Sequence, residues 1–142
     1  MDSREFAGDL VVPETVDGLP VTGIGERAFL GCKGLRRAVI PKSVRSIGDS
    51  AFCGCSGLRE AVLENGLQSI GSSAFTECYI LEKVTVPESV RKIGSRAFNE
   101  CRNLKKLRLP GNLKEYGNGV FTGCTSPVSY THLRAHETAA NL

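Results

Sequence analysis

The 142-residue sequence contains no tryptophan, and aromatic residues of all kinds make up 6% of it. Residues 1–126 also lack histidine, the side chain most often used for acid–base catalysis and transition-metal binding near neutral pH. There is no GxSxG nucleophile elbow and no phosphate-binding GxxxxGK loop. No apolar run is long enough to span a bilayer as a helix. These absences predict a chain that is not an enzyme, binds no cofactor or metal ion and does not insert into a membrane.

Charge is weak overall and unevenly distributed along the chain. The net charge is +3, too small to indicate a polyanionic partner. Residues 1–32 carry six acidic and two basic side chains, whereas residues 90–113 carry seven basic side chains and one acidic one. The basic side chains are spread over several faces of one repeat without an aromatic platform, so nucleic-acid binding is not predicted. Contact of this basic end with an anionic glycan or an acidic protein stays open as an alternative.

Three columns of identical residues recur every 23 residues along the chain. They are the phenylalanines Phe29, Phe52, Phe75, Phe98 and Phe121, the glycines Gly25, Gly48, Gly71, Gly94 and Gly117, and the cysteines Cys32, Cys55, Cys78, Cys101 and Cys124. A period in the twenties is typical of a solenoid. A single unit cannot bury its own apolar side chains, so stability must come from stacking on neighbouring units. The clearest copy of the unit is VRSIGDSAFCGCSGLREAVL, residues 44–63.

Each unit predicts one short strand followed by a return through a corner. In the second unit, Ala38 and Ile40 face one side of the strand and Val39 faces the other, because side chains alternate along a strand. Gly48 suits a corner that needs either a positive φ or a close backbone approach. After it, Ala51, Phe52 and Cys55 have the spacing of a helix face, and Asp49 is placed to cap a helical turn. The predicted fold class is therefore an α/β repeat solenoid, with a short-stranded parallel sheet on one side and short helical turns on the other.

Departures from the unit mark the two ends. Between Pro13 and Val21 the chain is five residues longer than the equivalent segment of the next unit, and it contains the turn signal Asp17-Gly18. The fifth unit drifts at Tyr116 and breaks after its cysteine.

The cysteines are predicted to be buried thiols. Five equivalent positions do not pair off as disulfides or metal ligands, whereas small apolar side chains stack readily at one repeated position. Cys53 lies outside this column, at a variable position, and is predicted to be exposed and open to reaction, although no neighbour marks it as a nucleophile.

These motifs resemble the BspA-type leucine-rich repeat, a subclass with 23-residue units. The resemblance covers residues 7–124 and rests on DGLPVTGIGERAF, IPKSVRSIGDSAFCGC and VPESVRKIGSRAFNEC. It implies a curved leucine-rich-repeat solenoid with the parallel sheet on the concave side. It also implies an extracellular or cell-surface location and a role in adhesion or binding of host proteins, but no shared catalytic residues.

The candidate binding face consists of the side chains that alternate outward from the strands of the concave sheet. They are Arg37, Val39, Glu60, Val62, Lys83, Thr85, Lys106 and Arg108, continued at the first strand by Asp9 and Val11. Val39, Val62 and Thr85 form a modest apolar strip flanked by charge, which suits a protein partner. The family resemblance implies that this partner is a host extracellular or matrix protein. An ordinary solvated sheet face, with Arg37 beside Glu60 beside Lys83, is the alternative interpretation.

The predicted function is a non-enzymatic protein-binding scaffold, part of an adhesin-like surface or secreted protein and monomeric apart from its exposed solenoid ends. The alternatives are a structural spacer and a targeting repeat of a larger protein, whose functional domain would lie outside this fragment.

The last residues are predicted not to be native protein. His132 and His136 are four residues apart and Glu137 follows, which taken alone would indicate metal ligands on a helix. However, VSYTHLRAHET, residues 128–138, matches the translation of a transposon-type sequencing adapter, and the repeat fails at Pro127, where the adapter would begin. The domain division is therefore a solenoid of about five units over residues 1–126, with the first and last partial, and an adapter-derived tail over residues 127–142. The native protein is expected to be longer.

Overall fold

The computed structural model describes residues 6–125 and the backbone of residues 129–131. Within them, eleven short strands form two parallel sheets and two more form a hairpin. The wide sheet has the order β1 (Ala7–Val11), β5 (Gly34–Ile40), β7 (Glu60–Leu63), β9 (Lys83–Thr85), β11 (Lys106–Arg108) and β13 (Ser129–Thr131). The narrow sheet has the order β12 (Glu115–Tyr116), β10 (Lys92–Ile93), β8 (Ser69–Ile70), β6 (Ser46–Ile47) and β4 (Gly23–Ile24), and the hairpin joins β2 (Thr15–Val16) to β3 (Leu19–Pro20). The chain therefore winds as a parallel β-solenoid of about five turns.

The wide sheet confirms the predicted strands and their alternation. Ala38 and Ile40 are buried, while Val39 between them is half-buried and faces outward. From β5 onward, partners in adjacent strands are 23 residues apart, as in Ala38 beside Ala61 and Ala61 beside Val84. Because the register equals the repeat period, every repeated position forms a row along the solenoid.

The predicted short helical turns are wrong, since no helix occurs in residues 6–125. The turn segment of each unit runs from its repeated glycine to its repeated cysteine, as in residues 48–55. In that segment Ser50 and Gly54 have φ of 57° and 76°, which interrupts a right-handed helix every fourth residue. The segment instead makes two successive turns, closed by hydrogen bonds from the Ala51 N–H to the Gly48 carbonyl and from the Cys55 N–H to the Phe52 carbonyl, both 3.2 Å long. A positive φ at the third residue of each turn is what a type II turn requires.

Three other amides of the turn segment bond to the next unit. Alternate residues donate outward: Ser50 to the carbonyl of Ser72 (2.9 Å), Phe52 to that of Ala74 (2.8 Å), and Gly54 to that of Thr76 (2.8 Å). The same three bonds recur between every pair of adjacent units from the first to the fifth. Consecutive turn segments are thus joined by a ladder, and no intrahelical hydrogen bonds are needed to satisfy the backbone.

A column of stacked phenylalanine rings runs through the core. Successive ring centroids from Phe29 to Phe121 are 5.3, 5.2, 5.3 and 5.8 Å apart, and the rings are within 14° of parallel. The three inner rings, Phe52, Phe75 and Phe98, are fully buried. Each unit therefore covers the aromatic ring of its neighbour, as expected of a solenoid whose units are stable only when stacked.

The repeated glycines are needed for close approach rather than for a positive φ. Gly48 has an ordinary φ, but a Cβ built on it would lie 2.7 Å from the backbone nitrogen of Glu26 in the preceding unit. Gly71, Gly94 and Gly117 meet the same obstacle, with nearest backbone distances of 2.6 Å or less. In the first unit Gly25 has no such neighbour, and a Cβ there would meet nothing within 4 Å.

The extra residues of the first unit form a two-residue hairpin loop between β2 and β3. Asp17 and Gly18 have φ of 52° and 78°, and a positive φ at both central residues is the signature of a type I′ turn. The predicted turn is confirmed. The two strands that flank it were not predicted.

Most of the predicted adapter-derived tail lies outside the described residues. Residues 126–128 and 132–142 are not described, and they include the junction at Ser126 and both histidines. The backbone of β13 pairs in parallel with β11, with Leu107 opposite Tyr130.

Candidate functional site

The predicted binding-face residues lie in two adjacent rows on the outer surface of the wide sheet, which we call the wide-sheet face. Strand register places the members of each row on neighbouring strands. The first row is Asp9, Arg37, Glu60, Lys83 and Lys106, and the second row is Val11, Val39, Val62, Thr85 and Arg108. The structure therefore brings together all eight candidate residues.

Charges in the first row are paired at its centre and unpaired at one end. The Arg37 Nε donates to the Glu60 Oε1 at 2.7 Å, and the Lys83 Nζ lies 3.8 Å from the Glu60 Oε2. These pairs are the contacts that the solvated-face interpretation predicts. Exposed pairs of this kind contribute about 0–1 kcal/mol each, so they can be exchanged for contacts with a partner at small cost. Within residues 6–125, no carboxylate lies in ion-pair distance of Lys106, at one end of this row, or of Arg108, beside it in the second row.

The second row supplies a narrow apolar strip. Val11 is 65% exposed, and Val39 and Val62 are half-buried. Beside them, a shallow depression of about 200 Å³ is lined by Glu60, Val62, Lys83 and Thr85 among others. A depression of this size is too small to enclose a drug-sized ligand, so the surface suits contact with a macromolecule.

The cysteine column is buried, as predicted. Cys32, Cys55, Cys78 and Cys101 are fully buried and Cys124 is half-buried, all as free thiols. Each thiol also makes a contact that the sequence pattern did not indicate: its Sγ donates to the carbonyl of the phenylalanine 26 residues earlier, at 3.1–3.2 Å from Cys55 onward. The column therefore joins adjacent units both by packing and by a weak hydrogen bond.

Burial keeps these thiols protonated. Desolvation raises the pKa of Cys55 to about 12 and that of Cys124 to about 11, and it raises the pKa of Cys78 and Cys101 well above the usual 9.0. Cys53 is half-buried rather than exposed, and its pKa is raised first by burial and then by the charge of Glu77. A thiolate nucleophile requires the opposite shift, so none of these cysteines is activated.

The raised pKa of Cys55 predicts a loss of stability in alkali. The unfolded chain releases this proton near pH 9.0, whereas the folded chain holds it to about pH 12. The stabilisation is therefore complete below pH 9 and is lost as pH rises, by up to about 1.4 kcal/mol per pH unit for one thiol. In urea titrations with reductant at pH 9.0 and 10.5, the unfolding free energy of the unsubstituted chain should fall more steeply than that of Cys55→Ala. Equal slopes would show that Cys55 titrates alike in both states.

Among residues 6–125, no group of three or more histidine, cysteine, aspartate or glutamate side chains is arranged to hold a metal ion. The same part of the chain contains no helix of the length and hydropathy that a membrane span needs.

Sequence reasoning missed one groove, which borders the hairpin of the first unit. It is an open depression of about 830 Å³, lined by Glu14, Thr15 and Pro20 and by some residues of the corners at 42–45, 65–68 and 89–91, and we call it the corner groove. The basic residues Arg45 and Arg91 both line it and are 46 residues apart, twice the repeat period. The spacing of the two arginines can be read from the sequence. The sequence does not indicate that the hairpin forms one wall of the groove.

Comparison with known proteins gives a family and several structural neighbours. The sequence profile of the BspA type Leucine rich repeat region matches residues 22–137 in six copies. The solved structure of a leucine rich repeat protein of T. pallidum is 39% identical with a TM-score of 0.85, and the match covers 87% of this chain and 58% of that one. A leucine rich cell surface protein of Faecalibacterium prausnitzii A2-165 is 28% identical with a TM-score of 0.78, over 88% of this chain and 36% of that one.

A leucine-rich repeat protein of Bacteroides ovatus ATCC 8483 is 22% identical with a TM-score of 0.64, over 87% of this chain and 42% of that one, and shows a likeness of fold alone. The chain thus spans less than two thirds of each of these three proteins. No curated protein matches it.

Proposed function

Because the chain belongs to the BspA-type leucine-rich repeat family, we propose that it is a non-enzymatic scaffold whose wide-sheet face binds a protein partner. The observation that carries the proposal is the pair of registered rows on that face, one charged and one mostly apolar. The repeated residues pack against neighbouring units. The residues of the two rows do not take part in that packing, so they remain available to a partner. A concave repeat surface with an apolar strip and a charged border is a usual binding surface of solenoids.

The partner we propose is an extracellular protein, with host matrix proteins as the first candidates, and the role is adhesion at a cell surface. Support comes from the F. prausnitzii relative, which is described as a cell surface protein. The basic end of the face, at Lys106 and Arg108, favours a partner with an acidic patch, because these two cations have no described carboxylate of their own. A spacer that presents another domain is the second candidate, favoured by the relatives' greater length.

Charge reversal on the wide-sheet face should abolish capture of such a partner. We expect Arg37→Glu, Lys83→Glu and Arg108→Glu together to weaken binding to immobilised matrix proteins by at least tenfold, because the face would then repel an acidic patch. The stability of the variant should change little, since exposed ion pairs contribute about 0–1 kcal/mol each. Binding is measured by surface plasmon resonance after a panel of matrix proteins has been tested for capture.

The matched control reverses three exposed basic residues away from the face, Arg27, Lys33 and Arg96. This control should bind as the unsubstituted chain does. Equal loss in both triple variants would indicate a general charge effect, and no loss in either would remove the wide-sheet face from the proposal. Failure of the whole matrix panel to bind would favour the spacer function.

We also propose that residues 127–142 are adapter-derived. The family profile extends to residue 137, and β13 falls at the repeat offset of 23 residues from β11, so an adapter origin requires the match there to be incidental. Amplification of the source DNA from primers beyond codon 126, without transposon adapters, decides between the two. A read that continues the 23-residue repeat in place of VSYTHLRAHET supports the adapter origin, and a read that reproduces it rules that origin out.

A further inference from the structure

The corner groove is a concave surface that stacking between units does not explain. It lies on a different side of the unit from the wide-sheet face, where the chain passes from the wide sheet to the narrow one. Its floor comes from three consecutive corners, and one wall comes from the hairpin that occurs in the first unit. Neither the repeat nor the proposed matrix-binding face accounts for it.

Backbone hydrogen bonds fix the spacing of the groove floor. The Gln68 N–H donates to the Arg45 carbonyl at 2.7 Å, and the Arg91 N–H donates to the Gln68 carbonyl at 2.9 Å. These bonds place the three residues on successive rungs of a ladder, about 4.8 Å apart. The backbones of Arg45 and Arg91 are therefore about 10 Å apart, and Gln68 lies on the rung between them.

The groove is electropositive. Lys42, Arg45 and Arg91 line it with a single carboxylate, Glu14, and beside the groove the Glu64 carboxylate accepts a hydrogen bond from the Lys42 N–H at 3.1 Å. Within residues 6–125, none of the three cations has a carboxylate in ion-pair distance. Arg91 is held in place by bonds from one nitrogen, Nη1, to the carbonyls of Glu88 (2.6 Å) and Val90 (3.4 Å). Its other guanidinium nitrogens are not used in those contacts, so it keeps donors for a ligand.

An unpartnered hydroxyl lies at the floor beside the hairpin. In the fourth unit, the Ser89 Oγ accepts from the Gly66 N–H at 2.9 Å and donates to the Leu67 carbonyl at 2.6 Å. Ser43 is the equivalent residue two units earlier, but the residue that would donate to it is Pro20, which has no N–H. The Ser43 Oγ is buried and has no hydrogen-bond partner among the described residues. The first unit thus departs from the repeat both by adding the hairpin and by leaving a polar group without a partner.

We propose that the corner groove binds an acidic, extended peptide segment of a protein partner. Arginine guanidinium groups pair with carboxylates through two parallel hydrogen bonds, so Arg45 and Arg91 fit two acidic side chains. A polyproline II peptide rises about 3.1 Å per residue with three residues per turn, so residues i and i+3 lie on one face about 9 Å apart. That distance matches the two arginine rungs, and Gln68 between them can bond to the peptide backbone.

A peptide fits the groove better than other polyanions do. The three cations are separated by amides and hydroxyls, which matches isolated carboxylates rather than a densely sulfated glycan. The lining has no aromatic side chain on which a nucleic-acid base could stack.

The test uses a fluorescein-labelled synthetic peptide made of repeated Glu-Pro-Ser triplets and the full 142-residue chain. Fluorescence anisotropy should show binding that weakens as salt is added, and a matched Gln-Pro-Ser peptide should not bind. Combined Arg45→Ser and Arg91→Ser substitutions should weaken binding at least tenfold. A control with Arg27→Ser and Arg96→Ser has the same net charge, lies away from the groove and should bind like the unsubstituted chain. Thermal unfolding followed by circular dichroism establishes that both variants are folded.

Three results would overturn the proposal: equal affinity of the groove variant and the unsubstituted chain, equal binding of the Gln-Pro-Ser peptide, and no binding of the acidic peptide at all. Heparin is tested in parallel, and if it alone binds and loses affinity in the groove variant, the groove is a glycan site instead. The wide-sheet triple variant should bind the acidic peptide as the unsubstituted chain does at 0.15 M salt, where charges more than about 8 Å away are screened. Failure of the peptide-binding proposal for the corner groove therefore does not affect the proposal that the wide-sheet face binds a matrix protein. Failure of the matrix-binding proposal likewise does not affect the groove proposal.

Discussion

Replacing Phe75 with alanine is expected to lower the free energy of unfolding by about 3–5 kcal/mol, the range for truncating a buried phenylalanine. Phe75 is fully buried, and its ring lies 5.2 Å from that of Phe52 and 5.3 Å from that of Phe98. The alanine would remove a ring from the middle of the stack and leave a cavity between two units. The neighbouring units cannot close this cavity, because their backbones are joined by the ladder between turn segments.

Phe29 provides the matched control for this prediction. It occupies the same repeated position but is only half-buried, at the end of the stack with one ring neighbour, Phe52. Urea unfolding followed by circular dichroism should therefore give Phe29→Ala a clearly smaller loss than Phe75→Ala. Equal losses would mean that each unit is stable by itself, which a nearest-neighbour solenoid excludes.

Gly71→Ala is expected to destabilise the chain by roughly 3 kcal/mol, the upper end for overpacking, since the obstacle is backbone. A Cβ at this position would lie 2.6 Å from the Asp49 nitrogen and 2.7 Å from the Gly48 carbonyl carbon. Neither atom can rotate away as a side chain could, so two units would have to separate.

The same substitution at Gly25 tests that explanation directly. Gly25 is the equivalent glycine of the first unit, has an ordinary φ and faces no atom within 4 Å. Gly25→Ala should therefore be neutral or stabilising by about 0.4–1 kcal/mol, because alanine restricts the unfolded chain. Unfolding midpoints for both variants, measured side by side, decide the matter. A loss at Gly25 as large as that at Gly71 would mean that the glycine serves its own turn and not the contact between units.

The strands were predictable from the sequence, but the turn segments were not. The alternation around Val39 and the 23-residue period were enough to predict which side chains face the core and which row each occupies. The spacing of Ala51, Phe52 and Cys55 fits a helix face, and it fits two successive type II turns equally well. The two differ in where the backbone amides bond, and the acceptors, such as the carbonyl of Ala74 for the Phe52 N–H, belong to the next unit. A reading of one unit at a time does not reveal them.

The hairpin could be predicted from the sequence, whereas the narrow sheet could not. Each narrow-sheet strand has two residues, as in Ser46–Ile47, and exists because an equivalent strand lies on either side. No local pattern marks such short strands. The hairpin does carry a strong local signal, the Asp17-Gly18 pair that suits a type I′ turn, and the two strands around it could have been predicted from that pair.

The position of the candidate site could be predicted from the repeat. The identity of its partner could not. Strand alternation alone was enough to place Arg37, Glu60 and Lys83 side by side, and the salt bridges at Glu60 agree with that placement. What binds there depends on the positions that stacking leaves unconstrained. Those residues carry no repeated pattern from which a ligand could be deduced.

Side-chain footprinting of the chain with its captured matrix partner is the sharpest test of whether the wide-sheet face binds that partner. Hydroxyl radicals modify exposed side chains, and mass spectrometry of the free and bound chain reports which residues a partner covers. We predict protection of Val39 and Val62 on the wide-sheet face and no change at Tyr79, a half-buried ring that is not part of that face and over which Arg102 lies at 4.7 Å. Protection of Tyr79 with Val39 and Val62 left unprotected would contradict the claim that the free positions of the wide sheet form the binding surface.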